Sequence, residues 1–156
     1  MKIVPAFAIA LTLMMGMSAS GLAKSPSFGL WWKHFSAGVQ RSITRTDSAC
    51  QRSYGHNDAK VGSCFVRAER VSLRAEQSAL KKQIAAISRG QKASCKRAIQ
   101  QYWVASRRAA TANLAYLDSH QRAGVRRLSR DLNAEPYASL KKSTYDAKSH
   151  AVDVCG

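Results

Sequence analysis

Glu69 and Glu76 stand seven residues apart in "ERVSLRAE", a separation that places two carboxylates on one helix face about 10 Å apart by helix rise. A general acid and base need such a pair with one member held protonated by its surroundings. Arg67, Arg70 and Arg74 are interleaved with them, and the expectation is a solvated charged face with no raised pKa. The histidines, His34, His56, His120 and His150, fall in separate segments without a companion at triad or metal spacing. No CxxC or HxxxH pattern offers a zinc site, and neither GxSxG nor a glycine-rich phosphate loop occurs. The sequence therefore points to no catalytic residue, no metal and no cofactor, and the protein is expected to be non-enzymatic.

Cysteine is the remaining chemistry. Cys50, Cys64, Cys95 and Cys155 make an even set, which in an oxidising compartment reads as two disulfides and leaves no thiol to act as a nucleophile. Three pairings are open. The favoured one joins Cys50 to Cys64 around the turn-rich "SYGHNDAKVG", and Cys95 to Cys155 so that the last residues are tied to a long helix.

The compartment follows from the first 23 residues, "MKIVPAFAIALTLMMGMSASGLA". Lys2, an apolar run from Ile3 to Met17 and a close on small residues form the layout of a secretory signal peptide. A run of about 15 residues is shorter than the roughly 20 needed to cross a bilayer. Residues 24–156 are read as one exported domain, periplasmic or secreted. Its 24 Lys+Arg stand against 9 Asp+Glu, a formal charge of +15. Such a balance attracts polyanions, among them lipopolysaccharide, anionic membrane and acidic proteins. Nucleic acid would also suit the charge, but export separates the chain from it and no recognition motif is present.

Helices must position all of this. Phe28, Trp31, Trp32, Phe35, Val39 and Ile43 recur at steps of three and four after Ser25-Pro26-Ser27, one face of a first helix on which adjacent tryptophans cannot both point inward. Asp47 to Asp58 reads as turn chemistry between short polar segments. Val66, Leu73, Leu80 and Ile87 repeat every seven residues, with Val71 and Ile84 beside them, and predict a helix from about Ala59 to Ser88 capped by Asn57 or Asp58 and ended at Arg89-Gly90. "IQQYWVASRRAATANLAYL" lies in a third helix that carries Cys95, Ile99, Tyr102, Trp103, Ser106, Ala110, Leu114 and Leu117, with Trp103 expected in the core and Arg107 at the edge of the stripe. A short segment around Leu128 and a final helix from Pro136 to about Val154, with Leu140, Ala147, Ala151 and Val154 inward, complete an all-α, small helical bundle tied by two disulfides.

Over about residues 49–112 the chain resembles the LprI-like lysozyme-inhibitor family of exported bacterial proteins. Cys50 and Cys64 resemble its first two cysteines, "LRAEQSALKKQI" its leucine-rich segment, and Gln100, Trp103, Arg107 and Ala109 its tryptophan helix. The family usually places a cysteine shortly after the Trp-Arg pair, whereas Cys95 precedes Trp103 here. The resemblance implies a helical protein that blocks the carboxylate-lined cleft of a lysozyme. The segment "YGHNDAK", tied at its base by Cys50 and Cys64, is the loop expected to do so, with Tyr54, His56, Asn57 and Lys60 as contacts and Arg107 added from the tryptophan helix. From another class, the charge alone supports a basic envelope protein that binds anionic surfaces, with Trp31 and Trp32 at the interface.

Overall fold

The computed structural model describes residues 27–156; the signal-peptide reading concerns residues 1–23 and lies outside them. The described residues form five helices and no strand: α1 (Phe28–Tyr54), α2 (Asp58–Ile87), α3 (Ala93–Ser119), α4 (Val125–Asp131) and α5 (Tyr137–Cys155). Ser27 caps α1, its Oγ accepting from the Leu30 N–H at 3.2 Å, and Asn57 Oδ1 caps α2 by accepting from the Lys60 N–H at 3.0 Å. Gly55 and Gly90, at φ 57° and 72°, take the left-handed conformation that side chains disfavour, and each sits in a turn that reverses the chain.

Both favoured disulfides are present, Cys50–Cys64 and Cys95–Cys155. Their loops span 14 and 60 residues, for which chain entropy predicts about 3 and about 4 kcal/mol of stabilisation. The first fixes the α1–α2 hairpin. Nineteen residues before Cys50, Trp31 Nε1 donates to Oε1 of Gln83, nineteen residues after Cys64, at 2.8 Å. The two helices therefore run antiparallel in constant register. The second disulfide binds the end of α5 to the first turn of α3, and these two helices share the most extensive packing in the bundle.

Two apolar clusters form the core. In the larger, Phe28 and Phe35 of α1 meet Leu80, Ile84 and Ile87 of α2, Ile99 and Tyr102 of α3, and Ala151 of α5. Tyr102 is its aromatic centre, edge-on to Phe28 at 5.5 Å and to Trp32 at 5.2 Å. The smaller cluster joins Val66 to Tyr116, Leu117 and Leu128. Gly62 and Gly124 let the start of α2 approach the α3–α4 connection: a Cβ on Gly62 would strike the Ala123 carbonyl oxygen, and one on Gly124 the Asp58 carboxylate.

Several expectations change. Asp47–Tyr54 is helical, because Cys50 continues the inward stripe of α1 four residues beyond the half-buried Thr46 and its disulfide holds that last stretch against α2. Trp103 packs against the larger cluster but is only partly buried, whereas α3 turns Ile99 and Tyr102, 0 and 1 % exposed, fully towards its neighbours. Val71 and Val154 are exposed, since α2 faces inward through Val66, Leu80 and Ile84, and α5 through Ala151 and the half-buried Val152. As expected, Trp31 and Trp32 are not both fully inward: each is partly buried against the larger cluster, Trp31 stacked on Phe35 at 5.2 Å.

Candidate binding surface

A polar layer lies on the inward side of α2. Glu69 and Glu76 stand three residues after Val66 and Leu73, the companion positions of the same inward stripe, and both are partly buried. The interleaved Arg67 and Arg74 point the other way, into solvent. Burial, followed by the charge of Glu76, raises the Glu69 carboxyl from 4.5 to about 7. Glu76 is also raised by burial, against the opposing effect of the Ser72 hydroxyl, which donates to it at 2.9 Å. Among the described residues neither carboxylate has a cationic partner within salt-bridge distance. Gln77 Nε2 donates to Ser106 Oγ at 3.3 Å in the same layer, and burial pushes the nearby Tyr102 phenol up. The expectation of a solvated carboxylate face is therefore corrected. The signal was legible in the heptad, where every second core position of this stretch is glutamate.

The hairpin end is the opposite kind of surface. Residues 51–60 are all exposed. The expected seven-residue loop is a tight helical hairpin: Tyr54 ends α1, Gly55–Asn57 make the turn, and Asp58, Ala59 and Lys60 already belong to α2. His56 stands at the tip, whereas Asn57 is committed to capping through its side-chain oxygen. Tyr54 and Lys60 instead border a shallow groove of about 680 Å³, floored by Ala59, Cys64, Ala68 and Val71 and rimmed further by Arg67 and Arg122. Among the described residues no carboxylate lines it. Arg107 is exposed on α3 and is not among the residues of this groove.

Lys60 and Arg67 also begin a stripe. Lys60, Arg67, Arg74 and Lys81 recur every seven residues on the outward side of α2, all four exposed and, among the described residues, none ion-paired. Helix rise spreads them over about 32 Å. Arg70, between them in sequence, is bound to Asp118. A second groove, of about 570 Å³, lies on α1 and carries Arg41, Arg45 and Arg52. Arg67 and Arg74 were read only as part of a solvated charged face, and Lys81 and Arg122 were not singled out, although the seven-residue interval from Lys60 to Lys81 was there to be read.

Among the described residues no group of histidine, cysteine, aspartate and glutamate could hold a metal, and no helix is long and apolar enough to cross a membrane. Comparison of the chain with protein-family models, curated proteins and solved structures finds no match.

Proposed function

We propose that the protein is an exported, non-enzymatic binding protein that engages an anionic partner through the outer face of α2 and the adjoining hairpin end. The observation that carries this reading is the row of four exposed cations, Lys60, Arg67, Arg74 and Lys81, unpaired among the described residues. Unpaired cations on one rigid helix add their fields and lose none of that attraction to carboxylates of their own chain. Near an anionic lipid leaflet each contributes about 1 kcal/mol. Exchanging all four for glutamine is therefore expected to weaken binding to phosphatidylglycerol-containing vesicles by about 4 kcal/mol. Exchanging four cations elsewhere, Lys96, Arg97, Arg107 and Arg108 on α3, is expected to cost much less. Equal losses from the two sets would refute a dedicated face and leave only net charge.

A second reading keeps the lysozyme cleft as the anionic partner, in line with the LprI-like resemblance. It is favoured by the uninterrupted exposure of residues 51–60 on a hairpin braced by Cys50–Cys64. A braced tip enters a cleft with little loss of conformational freedom. Its test is lysis of peptidoglycan by several lysozyme types in the presence of the oxidised protein: inhibition is expected to disappear when Tyr54, His56 and Lys60 are replaced by alanine, and to survive the Arg74 and Lys81 exchanges.

A further inference from the structure

From the groove beside the cationic row we infer a binding site for a single-chain anionic amphiphile, with the aliphatic chain over Ala59, Ala68 and Val71 and the anionic head held by Lys60, Arg67 and Arg122. The inference rests on the anionic-partner reading and narrows it to one class of ligand. Three features of the groove converge on it. Its floor is mainly apolar, with Ser63 and the bridged Cys64 beside Ala59, Ala68 and Val71, and Val71 is 50 % exposed in the middle of a long helix, where a solvated polar residue would be ordinary. Its rim carries three cations from two parts of the chain, α2 and the α3–α4 connection, none of them ion-paired among the described residues. Among the described residues no carboxylate lines it to repel an anionic head.

A small hydrophilic anion would leave the aliphatic floor wet, and an uncharged chain would leave the three cations without a partner. An amphiphile satisfies both, its tail covering Val71 and its head accepting charge-assisted hydrogen bonds from the guanidinium groups of Arg67 and Arg122. Tyr54, 44 % exposed at the end of α1, closes one side of the groove with an aromatic ring. The Cys50–Cys64 bond holds that ring's helix against α2, so the walls are set before any ligand arrives.

The test is calorimetric titration of the oxidised exported protein with dodecyl phosphate below its micelle concentration, beside inorganic phosphate and an uncharged dodecyl glycoside. Saturable one-to-one binding of dodecyl phosphate alone is expected, weakened at least tenfold by Val71→Asp and at least tenfold by the pair Arg67→Gln and Arg122→Gln. The Val71 site is exposed, so these variants fold, and their helical circular dichroism is checked first. Absence of saturable binding, or binding equalled by inorganic phosphate, overturns the inference. So does saturable binding of an acidic peptide that dodecyl phosphate fails to displace. Vesicle binding measured on the same samples separates the two levels: its retention with no dodecyl phosphate site removes the groove ligand and leaves the cationic face standing.

Discussion

Replacing Glu69 with glutamine is expected to stabilise the protein above neutrality and to leave it nearly unchanged in acid. The carboxyl sits on the inward side of α2, between Val66 and Leu73 of the smaller cluster, and burial there raises it from 4.5 to about 7. Between those two values the folded chain keeps a proton that the unfolded chain has released, so folding takes up protons and stability falls as pH rises. The contribution is fully present below about pH 4.5 and lost above about pH 7. At about 1.4 kcal/mol for each tenfold change, the loss amounts to about 3 kcal/mol. Glutamine keeps the shape and hydrogen-bonding capacity of the protonated acid and has no proton to lose. Urea unfolding of the oxidised proteins should therefore give closely matched stabilities near about pH 4 and a variant ahead by about 3 kcal/mol near about pH 8. Because the histidines are common to both proteins, their titration cancels in the comparison. A difference that is the same at both pH values, or a wild type that is the more stable in alkali, would refute the argument that Glu69 is ionised at a cost.

Packing yields two further expectations. Tyr102→Ala should cost about 3–5 kcal/mol as the loss of a fully enclosed aromatic, whereas Trp103→Ala, at a half-buried position, should cost about half of that; chemical denaturation of both variants checks the order. Gly62→Ala should destabilise by about 1–3 kcal/mol or more because its Cβ meets backbone, which cannot rotate away, while Gly38→Ala, in the middle of α1 with open space around it, should stabilise by about 0.5–1 kcal/mol. Thermal unfolding of the two glycine variants should move in opposite directions.

The helices could be read from the sequence wherever an apolar stripe was continuous. Val66, Leu80 and Ile87 marked α2, and Asn57 and Gly90 marked its ends, because capping and left-handed turns are local chemistry. The pairing of the cysteines was favoured correctly from the placement of turns and helices. What periodicity did not settle was the angular position of a stripe to within one residue. Tyr102 and Trp103 lie about 100° apart on the helix wheel, at the two edges of one broad stripe, and only the direction from which α5 and α1 approach α3 decides that Tyr102 is enclosed. Val71 and Ile84 were both set beside the stripe of α2, and only Ile84 is buried there. The glutamates show a different limit. Their spacing was noticed, but charge was taken to mean solvent, and the heptad position was the better guide. Of the candidate site, Tyr54 and Lys60 were anticipated and border the groove, while Arg122 reaches it from a connection that is distant in sequence.

The second disulfide turns residues 95–155 into a closed covalent ring, and the first closes a smaller ring from residue 50 to residue 64. A single proteolytic cut inside either ring, after Arg52 or Lys60 in the exposed hairpin or after Arg108 or Arg126 further on, releases no fragment; the cut ends remain joined through sulfur. Between the rings lies mostly the helical body of α2, followed by the short turn that holds exposed Arg89 and Gly90. A trypsin-like cut after Arg89 divides the covalent chain into two parts, each carrying one intact ring. The protein is in this sense two linked loops on a single hinge of backbone, and a cut at that hinge parts one loop from the other.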